Sequence, residues 1–219
     1  MTPRSGSNPV SPLMVGIAGG TCAGKTTLAG NLGALLPEYA LAAIQFDAYY
    51  LPLDHLDLHQ RARINFDRLE SLDRALFAEH LGLLRAGLPA PVPVYDFSAH
   101  LRLPRVEMLH PGDVVIVEGI LLLAAPELVE QLDLKVFVDV EPDVRLGRRV
   151  LRDMAERGRS AESVIAQYLE SVRPMHELLV EPSRRSADLV VREGGLNPEA
   201  VAAVAGAIRN ELSRRRKKR

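Results

Sequence analysis

Residues 18–28 read AGGTCAGKTTL, directly behind the apolar run LMVGI at 13–17. Gly19, Gly24, Lys25 and Thr26 fit the pattern G-x-x-x-x-G-K-[ST], placed as that pattern requires between an expected buried strand and the helix-forming stretch TTLAGNLGALL. Glycines let the backbone curl so that successive N–H groups point at one phosphate, and the start of the helix adds partial positive charge. The expected cradle is Gly19, Gly20, Thr21, Cys22, Ala23, Gly24, Lys25, Thr26 and Thr27. Lys25 is the residue to bridge β- and γ-phosphates, which makes it catalytic, and the Thr26 hydroxyl is suited to Mg²⁺.

Five short apolar runs share the character of that first strand: LMVGIA, LAAIQF, VVIVEG, LKVFVDV and ADLVV. Each is continuous rather than alternating, as expected of strands buried on both faces of a parallel sheet. Helical patterns lie between them, one being DRLESLDRALFAEHLGLLRAG at 67–87 with Leu69, Leu72, Leu76, Phe77, Leu83 and Leu84 on one face. The proline-rich residues 88–105 predict a hairpin at a sheet edge. Residues 142–180 predict two helices joined near Gly158, the first crowded with arginine. The reading is a three-layer α/β fold with right-handed crossovers.

Composition agrees. Of 219 residues 47% are hydrophobic and 5% aromatic, with no tryptophan, so the core must be aliphatic. A single cysteine excludes an internal disulfide, and no run approaches the roughly 18 apolar residues of a membrane span. Together with the lack of an apolar leader in residues 1–12, this reads as cytoplasmic with no membrane partner. The last six residues carry +6 against −7 for the rest; at a chain end such a run reads as a solvated, disordered extension rather than a nucleic-acid contact. The expected organisation is a tail at 1–12, one catalytic domain at 13–212, and a basic tail at 213–219.

A phosphate loop serves kinases, switch GTPases and working ATPases alike. Guanine readers of the switch type use Asn-Lys-x-Asp, and none of the four lysines here follows an asparagine. A small-molecule kinase needs three further parts. Glu118, ending VVIVE, offers a second Mg²⁺ ligand at the carboxyl end of a buried strand. Asp47 in QFDAYY lies at that same edge, where it can orient or deprotonate an attacking hydroxyl, its alternative being a helix cap. Arg145, Arg148, Arg149 and Arg152 share a helical face, with Arg157 and Arg159 close behind, and only Asp143, Asp153 and Glu156 interrupt the run. Guanidinium forks suit phosphate oxygens, so this helix reads as a closing lid at 142–160.

With these pieces placed, the chain resembles the phosphoribulokinase and uridine kinase family, on its uridine-cytidine kinase side, from about Leu13 to Ala207. The motifs in order are GIAGGTCAGKTT, FDAYY, INFD, VYDFSAHLR, DVRLGRRVLRDMAERGRS and QYLESVRPMHELLVEPSRRSADLVV. The resemblance implies a P-loop kinase that moves the γ-phosphoryl group of ATP or GTP, with Mg²⁺, to the 5′-hydroxyl of uridine or cytidine in pyrimidine salvage. It makes Asp47 the general base, Asp67 the acid that binds ribose hydroxyls, and Tyr95 and His100 the contacts to the base edge. It places Tyr50, Arg149, Arg159 and Gln167 on the substrate side, Arg152 and Arg157 on the donor side, and residues 88–105 as a nucleoside-binding hairpin. It also implies a homo-oligomer, commonly a tetramer.

The sequence departs from the family in two places. The family's His-Pro after Asn-Tyr-Asp is absent, although Asp73 remains, so the helix on the ribose side is expected to start differently. Thr21, Cys22 and Ala23 replace the usual small loop residues, which leaves the backbone donors intact; Cys22 reads as a tolerated small residue or, from its place at a helix N-terminus, as a nucleotide-protectable thiol. The segment REGGLN, placed near the donor base, does not choose ATP over GTP. Two other readings stand beside this one: a kinase for nicotinamide riboside, pantothenate or ribulose phosphate, and a weakly active nucleotide-binding partner protein.

Overall fold

Every residue of β1 (Leu13–Gly19) is buried, because the strand has a neighbour on each side and a layer over each face. It pairs in parallel with β5 (Val114–Glu118) and with β6 (Leu134–Asp139). β2 (Leu41–Gln45) extends the sheet beyond β5, and β7 (Leu189–Arg192) extends it beyond β6, giving the order β2-β5-β1-β6-β7. The computed structural model describes residues 11–61 and 63–217; most of the expected N-terminal tail lies outside them.

The pleat of β1 divides the core in two. Met14 and Ala18 face one layer, with Phe77, Leu81 and Leu84 of the helix Arg74–Arg85. Leu13, Val15 and Ile17 face the other, with Leu28 and Leu32 of the helix Lys25–Leu35 and with Val201, Val204 and Ile208 of the helix Pro198–Lys217. Continuous apolar strands are what this two-sided burial demands. The first layer also fixes the site: Phe77 stacks on Phe46 at 4.5 Å between ring centroids and meets Tyr49 edge-on at 4.6 Å. Those rings bracket the 3₁₀ turn Phe46–Tyr49, so core packing holds Asp47 in place.

Three sequence expectations need correction. The helix expected over 67–87 begins only at Arg74, because the Asp73 side chain accepts from the Leu76 N–H and caps it. Leu69 stands in a separate 3₁₀ turn and Leu72 bridges to Tyr50. The proline-rich hairpin, β3 (Ala90–Asp96) and β4 (Leu101–Leu109), forms its own antiparallel sheet instead of extending the main one. Prolines 91 and 93 cost it ladder donors, and its register shifts between Pro93 and Tyr95. Finally, the basic tail is helical through Lys217: Arg215 reaches back to Asp133 at 2.7 Å and to the Pro12 carbonyl at 3.2 Å, which gives the last turns something to hold. No helix of the described residues is long and apolar enough to cross a membrane.

Candidate active site

The carboxyl ends of β1, β2 and β5 bring the phosphate loop, Asp47 and Glu118 to one edge of the sheet. Within the loop Gly19 has φ 141° and Gly24 φ 87°, and Cys22 also takes a left-handed φ of 56°. At Gly19 a side chain would run into the backbone of Val138, so glycine is required there both for conformation and for space. Lys25 is buried and donates to the carbonyls of Gly19 (3.1 Å) and Gly20 (3.0 Å). Burial lowers its pKa, while the carboxylates of Asp47 and Glu118 oppose that shift.

The Thr26 hydroxyl lies 3.0 Å from both oxygens of Glu118, so the two expected metal ligands meet directly. Gln45 donates to the same carboxylate at 2.8 Å. A hydroxyl and a carboxylate are the hard oxygens that Mg²⁺ prefers, and that ion needs only one or two protein ligands when phosphates supply the rest. Burial raises the pKa of Glu118, against Lys25 and the two hydrogen bonds. Asp47 is likewise raised by burial, with Lys25 and the backbone N–H of Ile120 holding it down. No side chain caps the turn in which it stands, which removes the capping alternative.

A cavity of ≈ 550 Å³ opens over the phosphate loop, bounded by Thr21, Cys22, Lys25, Thr26, Glu118, Arg148, Arg152 and Leu196. A second chamber lies between Tyr50, Phe66, Asp67, Tyr95, His100, Arg149, Arg159 and Gln167. Asp47, Thr21, Phe97, Ile120, Arg152 and Arg157 line both. Asp47 therefore stands where the two chambers join.

The second chamber is an aromatic box with polar walls. Tyr50 meets Phe66 at 4.9 Å and Tyr95 at 5.2 Å, and the His100 ring stacks on Phe66 at 5.0 Å and 11°. The buried Tyr95 hydroxyl has no partner among the described residues, and burial pushes its pKa up to about 12, so it stays an O–H donor. Burial and the guanidinium groups of Arg157, Arg159 and Arg61 lower the pKa of His100, so the ring is neutral at pH 7 and offers one donor and one acceptor. Asp67 is raised by burial, with Arg149 opposing. An Asx turn at Asp96, accepting from Ser98 and Ala99, sets the hairpin loop, and His100 follows it in a left-handed conformation.

The helix Pro142–Arg157 ends at Gly158 in a left-handed cap, which turns Arg159 back toward the helix Ala161–Gln167. The arginines are organised by one acid that the sequence reading set aside as an interruption. Asp153 is 0% exposed and takes two bonds from Arg152, at 2.9 and 2.7 Å. Arg149 lies 3.8 Å from it, Arg157 3.6 Å and Arg159 3.5 Å. Gln167 joins Arg149 (2.9 Å) to Arg159 (2.6 Å), and Arg149 donates to Thr21 of the phosphate loop at 3.0 Å. Arg157 also lies over the Phe97 ring at 5.4 Å.

The site residues named from the sequence thus lie in or beside one of the two chambers, except Arg145, which lines a separate cavity with His176 and Glu181 because its side chain turns to the other side of the phosphate loop. Missing from that set were Gln45, Phe66, Phe97, Ile120 and Asp153. Asp153 alone left a sequence signal, being the acid four residues from both Arg149 and Arg157.

The chain resembles known proteins over nearly its whole length. Residues 14–198 match the model of the Phosphoribulokinase / Uridine kinase family. The uridine kinase of Chloroflexus aggregans is 45% identical over 92% of this chain and 97% of that protein. The uridine kinase of Alkaliphilus metalliredigens is 43% identical over 93% and 98%. Among solved structures, phosphoribulokinase from Rhodobacter spheroides superposes with a TM-score of 0.63 at 12% identity, covering 83% of this chain and 70% of that one. D-glycerate 3-kinase from Cryptococcus neoformans gives 0.62 at 19%, covering 84% and 87%. The phosphate loop, the carboxylates at the same sheet edge and the arginine-rich helix Pro142–Arg157 agree with this likeness, and the chain belongs to the phosphoribulokinase and uridine kinase family.

Proposed function

We propose that this chain is a kinase that transfers the γ-phosphoryl group of ATP or GTP to the 5′-hydroxyl of uridine and cytidine, giving the monophosphates. The observation that carries the reading is the position of Asp47, shared by the phosphate-loop cavity and the aromatic chamber. The relatives called uridine kinase support the choice of acceptor.

In this reading residues 19–27 hold the donor phosphates, and Thr26 and Glu118 hold Mg²⁺, which supplies charge neutralisation during transfer. Asp47 accepts the proton of the attacking hydroxyl. Asp67 accepts from the two ribose hydroxyls, a pairing that deoxyribose cannot complete. Tyr50 and Phe66 form the walls against the sugar and base, and the neutral His100 donates to O4 of uracil or accepts from N4 of cytosine by changing tautomer. The Tyr95 hydroxyl supplies a second base-edge contact. Arg152 and Arg157 face the transferred phosphoryl group from the lid, with Arg149, Arg159 and Gln167 on the acceptor side. Asp153 aims these arginines, since guanidinium groups so close together repel one another without a shared anion. The enzyme is read as cytoplasmic from the sequence, and as a homo-oligomer from the family alone.

The test is ADP release across uridine, cytidine, deoxyuridine, adenosine, nicotinamide riboside, pantothenate and ribulose 5-phosphate. Turnover is expected with the two pyrimidine ribonucleosides and at least tenfold less with the rest; turnover with another acceptor and neither pyrimidine would replace the reading. A narrower prediction concerns the base edge. Losing a partner for a buried polar group costs about 1–3 kcal/mol, so His100→Ala raises KM for uridine by roughly tenfold and leaves KM for ATP within about twofold; equal rises would place His100 outside the base pocket. A third concerns Cys22, half-buried in the donor cavity: bound ATP slows its alkylation, and an unchanged rate would separate Cys22 from the donor site.

A further inference from the structure

Arg145 has no part in the chemistry above, yet it is the most deeply buried arginine of the lid helix, 3% exposed. Its Nε donates to the Val140 carbonyl at 2.9 Å and its Nη2 meets Nε2 of His176 at 3.2 Å. Both partners are uncharged at pH 7, because burial and Arg145 itself lower the pKa of His176 to about 4. Its Nη1 is buried and unpartnered among the described residues. Three acids share its wall: Asp139 and Glu181 pair with Arg184 at 3.1 and 3.5 Å, Glu181 also lies 3.6 Å from His176, and the exposed Glu141 makes no ion pair with Arg145. Among the described residues, then, a desolvated guanidinium stands without an anion. It also stands at the end of the opening turn of its helix, where the backbone dipoles disfavour positive charge.

A buried charge without a partner is costly, and natural chains keep such groups where function requires them. The guanidinium is pressed against the phosphate loop: a Cβ on Gly20 would lie 2.7 Å from the Arg145 Cζ. On the far side of that single glycine the loop curls around the donor phosphates in the reading above. The geometry points to Arg145 as a positioning residue for donor binding that never touches the donor, a buried positive charge set behind the phosphate loop whose counter-ion is the bound polyphosphate. This rests on the loop binding a nucleoside triphosphate. Charge balance at this point of the fold is reached only with the donor in place, so the donor is bound more tightly than contacts inside the loop account for. Low local dielectric makes such a charge effective through one layer of backbone and poorly screened by salt.

The inference separates cleanly from a structural brace, because it requires opposite effects on stability and on binding. Wild type, Arg145→Met and Arg145→Lys of the full chain are compared by thermal melting without nucleotide and by calorimetric titration with MgADP. Arg145→Met keeps the length and removes the charge: it melts at or above the wild-type temperature, and its Kd for MgADP rises tenfold or more. Arg145→Lys keeps the charge and recovers most of the affinity. Binding by Arg145→Met within twofold of wild type overturns the inference, and so does an Arg145→Met protein that melts several degrees lower or does not fold. A wild-type chain that binds no MgADP would instead overturn the donor reading beneath it.

Discussion

Asp47→Asn abolishes measurable turnover while MgATP still binds within about threefold of wild type. Asparagine has the size and the hydrogen-bonding shape of aspartate but cannot accept the proton of the attacking hydroxyl. Loss of a positioned general base removes about 10²–10⁴ of rate. The buried turn that carries Asp47 is held by Phe46, Tyr49 and Phe77, none of which the substitution touches, so the fold and the phosphate loop persist. The pH dependence follows from the same environment. Burial raises the pKa of Asp47 above the ordinary carboxylate value, and only the deprotonated form accepts a proton, so wild-type kcat falls on acidification at a pH above that ordinary value. Residual activity above a tenth of wild type in Asp47→Asn would make Asp47 a structural acid.

Asp153→Asn lowers kcat by about 10²-fold, with KM for uridine changing less. Four arginines take their positions from this one fully buried carboxylate. Displacement of catalytic groups by about 1 Å costs a factor on the order of 10². Breaking a buried pair by removing one partner also costs about 3 kcal/mol or more, which for a chain of this size is a Tm lower by roughly 6–12 °C or more. The split between kcat and KM, and recovery of part of kcat by Asp153→Glu, distinguish aiming of the lid from stability alone. A variant that loses Tm but keeps kcat would assign Asp153 to the fold only.

The parts of this molecule that depend on local chemistry were legible in the sequence. The loop could be read because Gly19 and Gly24 meet backbone requirements that few residues satisfy, and the strands because two-sided burial leaves a continuous apolar run. Asp47 and Glu118 could be placed because Glu118 ends such a strand and Asp47 follows one by two residues, in the turn Phe46–Tyr49, at the loop's own edge. Less legible was whatever long-range packing decides. Leu69 and Leu72 fit a helical face in sequence, yet the Asp73 cap and the bridge from Leu72 to Tyr50 start the helix later. Phe66, Phe97 and Ile120 are ordinary apolar residues until the segment before the turn Leu69–Ser71, the hairpin and the β5 loop bring them to one chamber. Asp153 looked like an interruption of a basic face because counting charges along a helix does not show which one is buried.

The most direct test is the identity of the product. With MgATP and uridine, phosphorus NMR of the complete reaction should show uridine 5′-monophosphate and ADP formed one for one, with 5′-deoxyuridine giving no phosphorylated product. ATP loss without a nucleoside monophosphate, or phosphate on the 2′- or 3′-oxygen, would contradict the placement of Asp47 between donor and 5′-hydroxyl.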